Sequence, residues 1–454
     1  MSIGQDVGSW RELRHHTSTA VVLAGGVLIG AITIYVAASL LPTAVQEIGG
    51  RPLYAWTMTA FLIAQVVATM LVGRSLSRYG GAGSYLIGFG VFAAGSVLCA
   101  VSPSMPVLLL GRGVQGFGAG LLTGLGFALI HSALPRRLWS RGSALISAMF
   151  GVGNFAGPAL GGFSAQFGSW RMAFAVLAAA AVVLAVFVPR ALPRGERTAQ
   201  VAPVPVRSLT LVVAAAGAVG VAGILADRVA MAACLALGLA LVAAFLVAEN
   251  RATSSVLPRS VYRAGAKLRW IYLSIMVLAS GVAVETFLPL FGQQLGGLPP
   301  AAAGFFAAAL SLGWSVSQLV SASAHRAATI RRLLLAGPAC LTAAFALLGL
   351  MQTEDPALLL VLAWLPVLLA GGLGIGIAMP HLSVAAMTSA PADEAGKAAG
   401  AIATVLTMST AFGATIAGLL VNLGGPSVVM SARWLLFGFA AISAVGLFTA
   451  RRAV

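Results

Sequence analysis

The chain has 454 residues, of which 59% are apolar and 8% are charged, and its mean hydropathy is +0.99. This composition excludes a soluble protein, because a soluble fold has no means of burying so much apolar surface. The net charge of +16 does not indicate a nucleic-acid-binding protein, since the basic residues punctuate apolar runs instead of forming one patch. Because backbone amides must be paired inside lipid, the composition predicts an all-α polytopic membrane protein.

The N-terminal segment, residues 1–19, is polar and lacks the short apolar core that marks a cleaved signal peptide. We expect it to remain as a cytoplasmic tail. Apolar runs long enough to cross a bilayer begin directly after it.

The apolar runs predict fourteen transmembrane helices in groups of six, two and six. An N-terminal bundle at 20–188 contains spans near 20–41, 53–72, 83–101, 106–130, 142–163 and 170–188. A cytoplasmic linker at 189–208, an extra hairpin at 209–248 with spans at 209–226 and 229–248, and a second cytoplasmic linker at 249–269 follow. A C-terminal bundle at 270–450 contains spans near 270–292, 300–323, 331–350, 356–379, 396–421 and 430–450.

The distribution of basic residues predicts the orientation of these spans. With both termini in the cytoplasm, 22 of the 27 Lys and Arg residues fall on the cytoplasmic side, where they are expected to gather. The same test does not distinguish twelve spans from fourteen, because removing the hairpin leaves the other orientations unchanged. Two six-helix groups around a central connector are typical of transporters with a site between two halves.

The loop after the second span, GRSLSRYGGAGS, resembles the signature loop of the major facilitator superfamily. Gly73, Arg78 and Gly80 match that signature, whereas Ser77 stands where the family usually has Asp. The resemblance implies that the missing carboxylate normally latches one conformation. We therefore expect the latch here to be weaker or to be formed differently.

The fourth span contains RGVQGFGAG, which is similar to the Arg and Gln-Gly pattern of the superfamily's fourth helix. Arg112, Gln115 and Gly116 carry the match. Because an arginine is costly in hydrocarbon, Arg112 is expected to face a cavity or a partner. Anchoring of the helix at the outer interface is the alternative.

The stretch GVGNFAGPALGG in the fifth span resembles the superfamily's GxxxGPxxGG pattern, which is associated with exporters and antiporters. Gly153, Gly157, Pro158, Gly161 and Gly162 carry it. Glycines four positions apart let a second helix approach closely, and a proline removes a backbone hydrogen bond. We expect helices of opposite halves to pack and pivot here, as the hinge and seal of an antiporter.

Three further stretches, at 52–64, 167–174 and 249–270, look like the fourteen-helix drug/proton antiporter branch. One departure concerns the first helix, where the branch commonly has Asp and this chain has Thr33 or a neighbouring residue. A proton carrier must therefore lie elsewhere, and Glu285 is the acidic residue within a predicted span. The other acidic residues, Glu47, Glu249 and Glu394 among them, fall in tails, loops or helix ends. A structural, hydrogen-bonded Glu285 is the alternative. His131, His325 and His381 are assigned to cytoplasmic helix ends.

Glu285 and Arg112 are predicted at similar depths below the outer surface. Burial favours a neutral carboxyl group and a nearby arginine favours a charged one, so separating the pair would make Glu285 take up a proton. The resemblance also implies cavity-wall residues from the first, second, fourth and fifth helices of each half, together with polar candidates. They are Tyr35, Trp56, Phe61, Gln65, Asn154, Phe287, Phe305, Trp314, Gln318 and Trp364.

The sequence therefore predicts a proton-coupled exporter of hydrophobic or amphiphilic compounds in the cell membrane, working by alternating access. We expect a monomer in contact with membrane lipids, without nucleic acid, metal or cofactor, and with the proton gradient as its energy source. A lipid exporter of the same superfamily is the nearer alternative. An integral-membrane enzyme is the distant alternative, because no nucleophile with a base and no metal-ligand set is found.

Overall fold

The computed structural model describes residues 10–192, 206–225, 227–251, 257–263, 265–324, 326–391 and 394–453. Every regular element in these ranges is a helix. Thirteen described segments are long and apolar enough to cross a membrane. The all-helical, multi-pass prediction is therefore confirmed. The predicted tail at 1–19 and both predicted linkers, at 189–208 and 249–269, lie partly outside the described residues, and His325 lies outside them.

The chain divides into two units, of which unit 1 contains Met1–Gly50 and Ala60–Val204. Numbering only the helices of seven or more residues, its helices are α1 (Thr17–Ile48), α2 (Trp56–Met70), α3 (Val72–Ala100), α4 (Met105–Ala128), α5 (Trp139–Phe167) and α6 (Trp170–Ala191). The first turn of α2 groups with unit 2. Within unit 1, α1 packs along α5 and α6, and α3 packs along α4 and α6.

The predicted loop after the second span is largely helical. Helix α3 already begins at Val72, and its axis changes direction at Gly80, where φ is +70° and ψ is 179°. Side chains with a Cβ rarely adopt a positive φ, so Gly80 is the residue that permits this kink. The second glycine of the signature is therefore required by the backbone.

Unit 2 contains Arg51–Thr59 and Pro205–Val454. Its helices are α7 (Val206–Ile224), α8 (Arg228–Arg251), α9 (Lys267–Ser280), α10 (Leu288–Gln294), α11 (Pro300–Ser321), α12 (Ala327–Leu350), α13 (Leu358–Ser389), α14 (Ala395–Leu423) and α15 (Val428–Ala453). Helix α8 packs on α7, where Gly238 faces Val219, and α7 packs on α14, where Gly223 faces Leu419. Most of α8 is exposed.

The segment predicted as one span at 270–292 is interrupted. Helix α9 ends at Ser280, a 3-10 turn occupies Gly281–Thr286, and α10 begins at Leu288. Pro289 is accommodated at the start of α10, where its missing amide hydrogen has no helical partner to lose. This interruption places Glu285 on a tight turn between two helices.

Helix α13 is longer than the sequence pattern suggests. The predicted span ends at residue 379, whereas the helix continues through Pro380 to Ser389. His381 therefore lies within a helix and is buried, and its assignment to a helix end is wrong. Hydropathy misplaced this boundary because a proline followed by a histidine resembles the end of an apolar run.

Candidate functional site

Arg112 is enclosed inside unit 1, with 1% of its surface exposed. Its Nη1 donates a hydrogen bond of 2.5 Å to Oε1 of Gln115, and its guanidinium lies 4.2 Å from the centre of the Phe61 ring. Nε2 of Gln115 donates to Oγ of Ser96 at 2.8 Å, and that hydroxyl donates to the Phe92 carbonyl at 2.8 Å. A chain of polar contacts thus fixes the arginine among α2, α3 and α4.

The glycines of α4 allow this arrangement. A Cβ on Gly116 would strike the backbone of Phe61, and one on Gly118 would strike the backbone of Phe92. Gly95 of α3 is equally close to the backbone of Gln115. The RGVQGFGAG stretch therefore combines a buried cation with the small residues that let two neighbouring helices approach it.

Glu285 lies in unit 2 and is 5% exposed. Its Oε1 accepts a hydrogen bond of 2.7 Å from the backbone N–H of Ser311, in the middle of α11. A backbone donor stabilises an ionised carboxylate without adding a positive side chain. The 3-10 turn and α11 together therefore position a carboxyl group within the predicted membrane span.

The glycine face of α5 contacts a different helix from the one expected. Cβ atoms on Gly153 and Gly161 would meet the backbones of Ala31 and Val36, and a Cβ on Gly157 would meet Tyr35. All three neighbours belong to α1 of the same unit. The prediction that this face joins helices of opposite halves is wrong for these contacts, because the glycines are used for packing inside unit 1.

The signature loop shows the local role of its atypical serine. Oγ of Ser77 donates to the Arg74 carbonyl at 3.0 Å, one turn earlier in the same helix. The guanidinium of Arg78 lies 5.6 Å from the ring centre of Tyr79. A Cβ on Gly73 would have no neighbour within 4 Å, so packing does not require glycine there. The altered latch stays a prediction.

The proposed cavity residues of unit 1 are embedded to different degrees. Phe61 is fully buried under Arg112, and Asn154 is buried on α5. Tyr35 lies against Gly157, and the backbone of Gln65 lies against Gly120. Packing against Arg112 therefore accounts for the burial of Phe61 without any contact to substrate.

In unit 2, Trp56 donates from Nε1 to the Gly220 carbonyl of α7 at 3.1 Å. Phe287 is buried and stacks on Tyr54, with ring centres 5.0 Å apart. Of the other four candidates, Trp364 is buried and Phe305 is exposed. The remaining two contact each other, because Nε1 of Trp314 donates to Oε1 of Gln318 at 2.8 Å. Their contact with substrate stays a prediction.

Sequence reasoning treated Glu47 as an ordinary helix-end residue. Its Oε1 lies 2.5 Å from Nη1 of Arg171, and its Oε2 accepts a hydrogen bond of 2.7 Å from Nε1 of Trp170. Arg171 also donates from Nη2 to the Ser102 carbonyl at 3.0 Å. The stretch at 167–174, FGSWRMAF, thus connects the start of α6 to the end of α1. Its adjacent Trp170 and Arg171 are the sequence feature from which a partner for Glu47 could have been predicted.

Two further acidic residues anchor the connector before α9. Glu249, fully buried in the last turn of α8, accepts from Oγ of Ser208 at 2.5 Å and from the N–H of Leu257 at 3.3 Å. Glu394 accepts from the N–H groups of Arg259 and Ser260, both at 3.1 Å. The Glu249–Trp270 pattern is therefore a structural clasp. Both carboxylates lie at helix ends, as the sequence predicts, but the sequence did not indicate their partners.

Metal chemistry receives no support from the described residues, where no group of three His, Cys, Asp or Glu side chains could hold an ion.

The solved structures that are similar to this chain include a POT family transporter in complex with 5-aminolevulinic acid, with a TM-score of 0.69 at 12% identity. That likeness covers 96% of both chains. The inward-open xylose transporter XylE of E. coli gives 0.64 at 14% identity over 96% and 95%. These likenesses show the fold.

Sequence relatives agree with the fold. A probable multidrug-efflux transporter of Mycobacterium tuberculosis is 44% identical over 99% of this chain and 97% of its own length. The multidrug transporter protein MdtP of Bacillus subtilis is 21% identical over 84% and 71%. The Major Facilitator Superfamily profile matches residues 23–414. The chain therefore belongs to the major facilitator superfamily and is a membrane transporter, not an enzyme.

Proposed function

We propose that this chain exports hydrophobic or amphiphilic compounds, drugs among them, in exchange for protons and by alternating access. The observation that carries the proton coupling is Glu285, a buried carboxyl group on an interrupted membrane helix. Intramembrane carboxyl groups are costly and usually serve ion or proton pathways. The relative from M. tuberculosis that is named a probable multidrug-efflux transporter supports drugs as the substrate class.

The proposed topology has fourteen spans with both termini in the cytoplasm. The fourteenth span, besides the thirteen apolar segments, is α5, a 29-residue helix that contains the glycine pattern. The basic residues support this orientation, because it leaves most of them on the cytoplasmic side. In this topology α7 and α8 form the extra hairpin, whose exposed α8 faces lipid, and the chain works as a monomer.

Arg112 is proposed as the charge that controls Glu285. The arginine is held in place by Gln115 and Phe61, and the carboxylate is held by the N–H of Ser311. A conformation in which the two charges approach favours ionised Glu285, and one in which they separate favours its protonation. Alternation between these conformations would take up a proton on one side and release it on the other. No cofactor is needed.

The test is transport in proteoliposomes with an acidic interior, using a panel of cationic dyes, neutral drugs and fluorescent lipids. Vesicles in which the transporter is inserted inside-out should accumulate dye or drug only while the proton gradient lasts. Glu285→Gln should still bind substrate and lose this uphill transport, and Arg112→Ala should shift its pH dependence. Glu354→Gln, which changes an exposed acidic residue between α12 and α13, is the matched control.

Full uphill transport by Glu285→Gln, with an unchanged pH profile, would show that Glu285 is structural. Transport by the wild-type protein that ignores the gradient would exclude proton coupling altogether. Movement of the lipid probe without dye or drug would instead favour the lipid exporter.

A further inference from the structure

His381 is a buried titratable group that the proposed exchange between Glu285 and Arg112 does not use. It lies on α13 with 8% of its surface exposed. Its Nε2 is 3.0 Å from Oγ of Ser321, the last residue of α11. Oγ of Ser321 also lies 2.7 Å from the carbonyl oxygen of Ile377.

These two contacts determine which ring nitrogen carries the hydrogen. A serine hydroxyl has one hydrogen, and a carbonyl oxygen can only accept. The hydroxyl of Ser321 therefore donates to Ile377 and accepts from His381, so Nε2 of the imidazole carries a hydrogen. A further proton can then be taken up only at Nδ1, without breaking either contact.

Close helix packing holds the ring in this position. Cβ atoms on Gly372 and Gly376 of α13 would strike the backbone of α11 at Leu310 and Trp314. Oγ of Ser317 also lies 3.3 Å from the Leu373 carbonyl, across the same helix pair. Because the backbones of α11 and α13 are in contact, His381 lies in a closely packed part of α13 and not at its end.

Helix α11 connects this histidine to the carboxyl group already described. Its Ser311 N–H binds Glu285, and its Ser321 hydroxyl binds His381. The two positions are ten residues apart, which is about 15 Å along a helix. In the proposed topology Glu285 lies toward the outer side and His381 toward the cytoplasm, so α11 contacts titratable groups at two depths.

The surroundings of His381 contain charges but no ion pair to it among the described residues. The charged residues at or directly before this end of the helices that pack on α13 are Lys267, Arg269, Arg326, Arg331, Arg332, Glu394 and Lys397. Ser321 is the hydrogen-bond partner of His381 in the described part of the chain, which leaves out His325 and the Lys397 side chain. The contact that holds the imidazole in the described part of the chain is therefore a hydroxyl group and not a carboxylate.

We propose that His381 is a second proton-exchange site of this transporter, which passes protons to the cytoplasmic side; this inference rests on the proposed proton coupling. The lone pair of Nδ1 takes up one proton and forms the imidazolium, while Nε2–H remains bound to Ser321. Loss of the Nδ1 proton to water then restores the neutral ring. Imidazole suits this step because its charge ordinarily changes between about pH 5 and 8.

The test compares His381→Gln with His15→Gln, which changes an exposed histidine near the N-terminus. Glutamine retains an N–H donor for Ser321 but does not titrate. Substrate-driven proton release is measured in proteoliposomes that contain a pH-sensitive dye, at external pH values from about 5 to 8. We expect His381→Gln to lose at least about two-thirds of this release and to flatten its pH profile, whereas His15→Gln should match the wild type.

A wild-type profile in His381→Gln, with coupling intact, would overturn the role of His381 and leave the proposed function standing. Absence of substrate-driven proton release in the wild-type protein would instead refute the proposed function. The inference also has a readout that needs no transport. In ¹⁵N-histidine-labelled protein in lipid, the signals missing from His381→Gln should show a neutral Nε2–H ring at high pH and an imidazolium at low pH.

Ser321→Ala provides the second variant, should His381→Gln fail to fold. Without its acceptor, the ring should lose its fixed Nε2–H form and show a mixture of both neutral tautomers. A ring that stays neutral down to about pH 5 in the wild-type protein, below the usual range of imidazole titration, would overturn the proposal.

Discussion

Replacement of Gly157 by Ala measures how tightly α5 packs on α1. The new Cβ would meet Cβ of Tyr35 and would lie 2.9 Å from the Ile32 carbonyl oxygen, whereas ordinary Cβ contacts are 3.4 to 4 Å. The helices would have to separate, and overpacking of this kind costs about 1 to 3 kcal/mol. Gly151→Ala, on the same helix, places its Cβ where no atom lies within 4 Å.

The comparison of the two variants removes the effect of helix propensity. Each change gains the same preference of alanine over glycine, about 1 kcal/mol, so the difference between them reports the packing alone. We expect Gly157→Ala to be less stable than Gly151→Ala by about 1 to 3 kcal/mol, or roughly 2 to 12 °C in Tm for a unit of this size. Thermal unfolding in detergent, followed by fluorescence or by size-exclusion chromatography, measures this difference.

Transport by the same variants tests the mechanical part of the argument. If the close approach of α1 and α5 matters for conformational change, Gly157→Ala should transport more slowly than Gly151→Ala at equal expression. Equal Tm values for the two variants would refute the packing argument, because the contact of Gly157 with α1 would then carry no energetic weight.

Three further predictions concern polar contacts. Ser96→Ala leaves Nε2 of the buried Gln115 without its acceptor. We expect a loss of about 1 to 3 kcal/mol in the free energy of unfolding, measured by chemical denaturation in detergent. An unchanged value would contradict the chain of polar contacts from Ser96 through Gln115 to Arg112. Glu47→Gln removes the ion pair with Arg171 and should lower Tm at low salt, with the difference shrinking at high salt because of screening. Glu394→Ala frees the N–H groups of Arg259 and Ser260, so trypsin should cut after Arg259 several-fold faster than in Glu354→Ala; equal cleavage rates would argue against the clasp.

The amino-acid sequence by itself determined the class of the molecule. Lipid leaves unpaired backbone groups no solvent partner, so apolar runs of span length had to become helices. The same reasoning predicted that Arg112 faces a cavity or a partner, because an arginine is costly within such a run. In the structure its guanidinium contacts Gln115 and Phe61. The family resemblance rests on short patterns such as RGVQGFGAG. Its glycines Gly116 and Gly118 lie against the backbones of neighbouring helices.

Only the tertiary structure decided which surfaces these residues meet. A glycine face at 153, 157 and 161 predicts close approach of a second helix, but spacing along one helix contains no information about which helix arrives. Contact with α1 follows from the arrangement of unit 1.

The same limit applies to the partners of Glu249 and Glu394, which do lie at helix ends, and to His381, which lies within a helix. Each has a hydrogen-bond partner on a segment distant in sequence, such as Ser208 for Glu249 and Ser321 for His381. Hydropathy reports the average environment of a window and not the position of one side chain. The burial and hydrogen bonding of these groups therefore depend on long-range packing, which only the folded chain supplies.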